Sequence, residues 1–256
     1  APAGRHHRIP AHRYPAARRR GRHVRMRRGR STANALWGNA PSVLVGDFLY
    51  SRSFEMMVEL GSMPVMQILS KATRVIAEGE VLQLSRVRDA STTEEVYMEV
   101  IRGKTAMLFE ASTHSAAALA EATDEQREAL RTFGDHLGVA FQLVDDLLDY
   151  KGDSQTLGKN VGDDLAEGKP TLPLIYTMRE GTAEQAALVR QAIQKGGLED
   201  LEQIRVAVEE SGALKYTAEL ARDYVKRAIA CLEVLPASEY RDALVELSEF
   251  AVARTH

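Results

Sequence analysis

Cysteine is almost absent from this 256-residue sequence, which contains Cys231 and no other. A single cysteine excludes an intrachain disulfide framework and is typical of a protein from a reducing compartment such as the cytoplasm. Long hydrophobic runs are absent too, because Asp47 and Arg52 interrupt the most apolar stretch before it reaches 18 residues. The sequence therefore predicts a cytoplasmic protein without a transmembrane segment.

Acidic residues are missing from the first 46 positions, and residues 1–30 instead contain eleven arginines and four of the seven histidines. Since residues 1–25 have few apolar side chains to bury, we expect them to form a disordered, Arg-rich arm. Three interpretations of the arm compete: a segment that binds nucleic acid or phosphate, an organellar transit peptide, and the product of a wrong reading frame in a GC-rich gene. A transit peptide is normally rich in serine, which is absent before Ser31. We favour the reading-frame interpretation.

The rest of the chain has the opposite charge. Residues 31–256 carry 22 lysines and arginines against 36 aspartates and glutamates. Binding of nucleic acid depends on clustered basic side chains that neutralise phosphates. An acidic body therefore argues against a nucleic-acid partner.

Helical patterns follow one another from Ser42 to the C-terminus, and glycine and proline are concentrated between them. Capping boxes, in which a hydroxyl residue and a Glu or Gln three positions later satisfy free backbone amides, are predicted at Ser91–Glu94, Thr123–Gln126 and Thr182–Gln185. With no linker and no repeat, residues 26–256 are expected to form one all-α domain with a central helical bundle. The predicted helices cover about 42–60, 63–87, 91–122, 123–150, 170–180, a segment from 182, 198–211, 213–235 and 239–254.

Three aspartates lie close together in the segment FQLVDDLLDY. Asp145 and Asp149 are one helical turn apart on the same face, Asp146 lies to one side, and Gln142 precedes them by a turn. Carboxylates on an otherwise apolar helix repel one another, and a divalent cation such as Mg²⁺ removes that cost. The alternative is a solvated acidic patch near the C-terminus of a helix, and the spacing alone does not decide between the two.

Basic residues recur around this acidic segment. Lys159 and Lys169 lie in the glycine-rich stretch that follows it, where lysine side chains next to metal-binding carboxylates fit a bound polyanion. Lys104 interrupts an apolar helix, either to meet an anionic partner or to extend its ammonium group into solvent. Arg27 and Arg28 form a third basic cluster, or else simply end the basic arm.

Taken together, these elements resemble the trans-isoprenyl diphosphate synthases, most closely the long-chain type that makes octaprenyl and nonaprenyl side chains of quinones. The resemblance runs from about Met26 to the C-terminus, and several motifs occur in the order of that family. They read RRGRSTANALWGNAPSVLVGDFLYSRSF, IAEGEVLQL, KTAMLFEA, FQLVDDLLDY and LGKNVGDDLAEGKPTLPL. The fold implied is the all-α isoprenoid-synthase bundle.

The resemblance also implies a role for individual residues. The second aspartate-rich motif of the family, which binds Mg²⁺ bridging to an allylic diphosphate, matches Asp145, Asp146 and Asp149. The family positions that contact the allylic diphosphate correspond to Lys104, Thr105, Gln142, Lys159 and Arg27. Arg28 matches a residue that binds isopentenyl diphosphate, and Lys169 is a weaker candidate for a further phosphate contact. Asp145, Asp146, Lys104 and Lys159 would then act catalytically, by stabilising the departing diphosphate.

The implied reaction is the head-to-tail condensation of isopentenyl diphosphate with an allylic diphosphate such as farnesyl diphosphate. The family resemblance also implies a homodimer. At the position of the family's first aspartate-rich motif, however, residues 18–25 read RRRGRHVR. Agreement between this sequence and the family begins abruptly near Met26. We therefore expect a bundle that is incomplete at its N-terminus, and a polypeptide that, made as written, is poorly folded and inactive or impaired.

Two other functions fit part of the pattern. A non-catalytic subunit of a heteromeric prenyl synthase would supply helices alone, but it need not keep intact aspartates and lysines. A terpene cyclase shares the fold and the metal chemistry, but the Arg-Arg-Gly, Lys-Thr and Gly-Lys elements belong to the chain-elongating enzymes.

Overall fold

Residues 26–27, 30–151 and 162–253 are described by the structure, a computed structural model. The chain divides into two units, residues 1–45 and residues 46–256. In the first unit, strand β1 (Met26–Arg27) pairs antiparallel with β2 (Arg30–Ser31), and a short helix α1 (Ala33–Trp37) follows. The side chain of Thr32 accepts a hydrogen bond from the Ala35 amide and thereby caps α1.

The boundary between the units falls within helix α2 (Asn39–Glu59), and the described part of the second unit contains helices without strands. The predicted all-α class is therefore confirmed. The prediction of a single domain over residues 26–256 stays a prediction, and the arm of residues 1–25 lies outside the described residues.

The helices after α2 are α3 (Met63–Arg86), α4 (Glu94–Ile101), a π-helical turn (Arg102–Ala106), α5 (Met107–Leu119), α6 (Asp124–Lys151), α7 (Asp163–Glu167), α8 (Leu172–Glu180), α9 (Ala183–Lys195), α10 (Leu201–Glu210), α11 (Ala213–Cys231), a 3₁₀ turn (Leu232–Val234) and α12 (Glu239–Ala253).

Two of the three predicted capping boxes are present. Thr123 and Gln126 bond reciprocally through side chains and amides, as do Thr182 and Gln185. The predicted start at Ser91 is wrong, because the amide and hydroxyl of Ser91 both donate to Asp89 in a turn. Helix α4 begins three residues later, with Thr93 as its cap.

Helix α6 is the centre of the second unit and packs along both α5 and α11. Eleven of its residues are buried, and the side chains of Phe133 and Leu143 are wholly enclosed. Each such side chain contributes about 1.5–3 kcal/mol through burial of apolar surface. Because this packing holds α6 firmly, the acidic segment at its C-terminal end has a fixed position.

The π-helical turn Arg102–Ala106 interrupts the helix formed by α4 and α5, and it is enclosed by glycines of its neighbours. A Cβ atom at Gly79 of α3 would lie 2.7 Å from the backbone nitrogen of Lys104. On the other side, a Cβ atom at Gly138 of α6 would lie 2.5 Å from the Cα of Ala106. Only glycine permits such close approach, so both neighbouring helices hold the turn through their backbones.

No helix in the described part of the chain is sufficiently long and apolar to span a bilayer.

Candidate active site

Asp146 is buried in α6, with a relative exposure of 2%. Its two carboxylate oxygens accept hydrogen bonds from different side chains. The hydroxyl of Tyr97 in α4 donates to Oδ2 at 2.7 Å, and the Nε2 of Gln142 donates to Oδ1 at 2.8 Å. Burial raises the pKa of Asp146 to about 8, and the negative charge of Asp164 acts in the same direction.

Gln142 connects Asp146 to the π-helical turn. The hydroxyl of Thr105 donates to the Oε1 of Gln142 at 2.9 Å, while the amide nitrogen of that glutamine faces Asp146. Thr105, Gln142 and Asp146 therefore form one hydrogen-bonded chain, which joins Thr105 of the segment KTAMLFEA to two residues of FQLVDDLLDY.

Lys104 faces α3 rather than α6. Its ammonium group donates to the Oε1 of Gln83 at 2.7 Å and lies 3.3 Å from the Oε1 of Glu80. Glu80, in the segment IAEGEVLQL, is thus one anionic partner of this lysine within the protein. A lysine ammonium has three donors, so these two partners leave capacity for a third acceptor.

Asp149 lies one turn beyond Asp145, at the end of α6 nearest to α7. Its Oδ2 accepts a hydrogen bond from the Asp164 amide at 3.3 Å. Burial raises the pKa of Asp149 to about 7, with a further contribution from the charge of Asp164. Asp145 is partly buried. Burial and the negative charge of neighbouring carboxylates disfavour the ionised forms of Asp146 and Asp149. A bound cation relieves the repulsion between these carboxylates.

The three aspartates do not form a ready three-ligand cluster. Within residues 26–27, 30–151 and 162–253, no three His, Cys, Asp or Glu side chains are grouped closely enough to hold one metal ion. The i and i+4 spacing of Asp145 and Asp149 gives two carboxylates on one face, whereas Asp146 faces Tyr97. This donor chemistry fits a hard cation such as Mg²⁺, which takes one or two protein carboxylates and completes its shell with water or phosphate oxygens.

Lys169 is held by carboxylates of its own segment. Its ammonium group lies 2.8 Å from Asp164 and 2.9 Å from Glu167, and the charge of Asp164 raises the pKa of the lysine despite its burial. The predicted phosphate contact of Lys169 stays a prediction. Lys159 and Arg28 lie outside the described residues, as does the side chain of Arg27.

Sequence reasoning missed four residues of this site. Glu80 and Gln83 lie in a motif that was noticed, but nothing indicated which of its side chains would face Lys104. Asp164 lies in the quoted segment LGKNVGDDLAEGKPTLPL, between two of the candidate lysines, and was given no role. Tyr97 carried no local signal, because its partner is 49 positions away in the sequence.

The segment that contains these residues matches a known protein family. Residues 23–211 match the family model described as polyprenyl synthetase. The chain belongs to the polyprenyl synthetase family. Its sequence is 54% identical over 230 residues to the octaprenyl diphosphate synthase of Escherichia coli K12, covering 90% of this chain and 71% of that protein. It is 51% identical over 229 residues to the geranyl-diphosphate-specific all-trans-nonaprenyl-diphosphate synthase of Rhodobacter capsulatus, with 90% and 70% covered.

Solved structures of the family have the same fold. A polyprenyl synthase from Caulobacter crescentus CB15, complexed with calcium and isoprenyl diphosphate, superimposes with a TM-score of 0.86 at 47% sequence identity. The match covers 91% of this chain and 71% of that one. The isoprenoid-synthase bundle expected from the sequence motifs is therefore confirmed as the fold, and the chain is a member of a prenyltransferase family.

Proposed function

We propose that this chain is a trans-polyprenyl diphosphate synthase, which condenses isopentenyl diphosphate with an allylic diphosphate to make a long-chain precursor of quinone side chains. An allylic diphosphate must lose its diphosphate group to leave a delocalised carbocation, which the double bond of isopentenyl diphosphate then attacks. Loss of a proton completes a chain five carbons longer. The protein has to stabilise negative charge on the leaving group.

Mg²⁺ is the cation we propose for the acidic segment, where it would neutralise charge that develops on the departing diphosphate. Asp145 and Asp149 have the spacing to bind it from one helix face, and Asp146 adds a third carboxylate whose orientation is already fixed. The calcium and isoprenyl diphosphate of the Caulobacter crescentus enzyme support a site for a divalent cation and a diphosphate.

Lys104 is the residue we propose for direct electrostatic contact with the allylic diphosphate. Gln83 and Glu80 hold its ammonium group, and its remaining donor capacity suits a phosphate oxygen. Thr105 and Gln142 would complete the same end of the site, while Lys159, Lys169, Arg27 and Arg28 are proposed phosphate ligands on the family resemblance.

One observation carries this proposal: the hydrogen-bonded chain from Thr105 through Gln142 to the buried carboxylate of Asp146. The chain runs through two half-buried side chains to a carboxylate that is buried, and burial of that carboxylate costs desolvation energy that an acidic patch on the surface would not incur. The chain also joins residues that the family resemblance assigns to substrate with one that it assigns to metal.

Calorimetric titration with a bisphosphonate, a stable mimic of diphosphate, tests the proposal. Binding is expected in the presence of Mg²⁺ and not in the presence of EDTA. Asp149→Asn and Lys104→Ala should each weaken it by about tenfold or more. Asp223→Asn is the matched control, because Asp223 is a helical aspartate whose side chain is 47% exposed on α11. Binding that is independent of Mg²⁺, or equal in all variants, would contradict the proposal.

Turnover separates the synthase from the alternative, a non-catalytic subunit of a heteromeric prenyl synthase. The chain is incubated with Mg²⁺, farnesyl diphosphate and labelled isopentenyl diphosphate, and products longer than farnesyl are extracted. Elongation by the chain alone supports the synthase, and it would contradict the prediction from the sequence that the polypeptide is inactive or impaired as written. Rescue of a partner synthase that lacks its own aspartates, without elongation by the chain alone, supports the subunit.

We also propose that the chain forms a homodimer in the cytoplasm. The exposed apolar side chains of α2, which include Phe48 and Leu49, supply a surface suited to a second copy. The single cysteine suits a reducing compartment.

A further inference from the structure

Tyr97 brings a polar group into the core of the second unit. The residue is 4% exposed and belongs to a hydrophobic cluster with Ile101, Leu143 and Leu172. Its hydroxyl donates a hydrogen bond of 2.7 Å to the Oδ2 of Asp146. A buried hydroxyl without a partner is costly, and so is a buried carboxylate oxygen, so each group satisfies the other.

The two hydrogen bonds to Asp146 come from residues on different helices. Gln142 lies on the same helix as Asp146, one turn earlier, and binds Oδ1. Tyr97 lies on α4 and binds Oδ2 from a different direction. Two donors on two helices fix the plane of a carboxylate, whereas a single donor leaves it able to rotate about its Cβ–Cγ bond.

A carboxylate oxygen has two lone pairs, and each oxygen of Asp146 uses one of them for a protein donor. The directions of the remaining lone pairs are therefore set by Tyr97 and Gln142 together. Groups that orient metal-binding carboxylates typically change metal affinity by 10–100-fold when they are removed.

We infer that Tyr97 is a positioning residue of the cation site: its hydroxyl fixes the orientation in which Asp146 binds the divalent cation. This inference rests on the proposed function. It assigns a role in the acidic segment to a residue of α4 that belongs to none of the motifs identified in the sequence. A purely structural role predicts instead that loss of the hydroxyl affects stability but not metal binding.

Tyr150 provides a matched control for the tyrosine. It is 2% exposed in α6, and its hydroxyl lies 3.5 Å from the Oγ1 of Thr171 rather than on a carboxylate. Tyr97→Phe and Tyr150→Phe thus remove one buried hydroxyl each, with the ring retained. Only the first removes a donor from Asp146.

The experiment measures Mn²⁺ binding by electron paramagnetic resonance in the presence of inorganic diphosphate, on the full chain and both variants. We expect Y97F to bind Mn²⁺ about tenfold more weakly than the unmodified chain, and Y150F to bind within about twofold. Circular dichroism establishes that each variant is folded. Equal affinity in Y97F and the unmodified chain overturns this inference alone, whereas no Mn²⁺ binding by the unmodified chain overturns the proposed function as well.

A second measurement needs no variant to fold. The unmodified chain is labelled with ¹³C at the Cζ atoms of its eight tyrosines, and Mg²⁺ with diphosphate is added. A cation on Asp146 withdraws charge from the acceptor of the Tyr97 hydroxyl, so the signal of Tyr97 is expected to shift. A spectrum in which no tyrosine signal shifts overturns the inference.

Discussion

Helices α2 and α6 are both long and rich in apolar residues, yet their side chains have opposite environments. Eleven residues of α6 are buried, among them Phe133 and Leu143. In α2, Met57 is buried, while Phe48 and Val58 are 66% and 67% exposed. Apolar composition thus predicts a helix in both cases but does not predict what covers it. Burial follows from the neighbouring elements, and α6 has α5 and α11 along its length.

The difference bears on function as well as on packing. The acidic segment belongs to the helix that its neighbours hold most firmly, which suits carboxylates that must keep one orientation. The exposed apolar surface belongs to a helix with none of the proposed site residues. Substitutions in the two helices should therefore affect different properties of the molecule.

The largest expected effect is on stability, from Leu143→Ala in α6. Leu143 is completely buried, so its truncation loses apolar burial and leaves a cavity, at a cost of about 3 kcal/mol in the free energy of unfolding. Leu49→Ala in α2 is the matched variant. At 61% exposure, it should change that free energy by less than about 0.5 kcal/mol in dilute protein.

Urea denaturation measures both free energies. Equal losses for the two leucines at every protein concentration would mean that α2 is covered within a single chain, and the contrast between the helices would be lost.

A smaller loss is expected from Gly79→Ala at the π-helical turn. A Cβ atom there would lie 2.7 Å from the Lys104 nitrogen and 2.8 Å from the Gly103 carbonyl carbon. Both are backbone atoms, so the helices must separate, at a cost of about 1–3 kcal/mol. Gly46→Ala is the control, because nothing lies within 4 Å of a Cβ at that helical position.

Thermal melting compares the two glycine variants. Helix propensity alone favours alanine over glycine, so G46A should be neutral or slightly stabilising while G79A melts earlier. Identical melting temperatures would show that α3 and the turn do not approach each other closely in solution.

The smallest effect is expected from Phe48→Glu on self-association. A charge in the centre of an apolar contact between two copies should weaken the proposed dimer by at least about tenfold, equivalent to about 1.4 kcal/mol. The folding of a single chain should be unaffected, since Phe48 is 66% exposed in it. Sedimentation velocity over a range of concentrations gives the association constant, and an unchanged constant would exclude this surface from the dimer.

Local features of the fold could be predicted from the sequence. The caps at Thr123 and Thr182 follow from residues three positions apart, and the position of Asp145 and Asp149 on one face follows from helical periodicity alone. Ser91 was misassigned because Asp89 competes for its amide and hydroxyl.

The rest of the site depends on contacts between distant segments. Tyr97 meets Asp146 across 49 residues, and Lys104 meets Gln83 across 21. Periodicity predicts which face of a helix is apolar, but not which residue of another helix it meets. The π-helical turn was missed for the same reason, since glycines on two other helices allow it.

The turn between α4 and α5 also has a consequence for insertions and deletions in this gene. A π-helical turn holds one residue more than regular α-helical bonding requires. Loss of one codon within residues 102–106 would remove that extra residue, so α4 would continue into α5 with regular α-helical bonding. The segments on either side would keep nearly the same faces, because five residues of a π-helix turn the chain about as far as four residues of an α-helix. The spectroscopic helix content would hardly change, while Thr105 would change its position and the polar chain would lose its bond from Thr105 to Gln142.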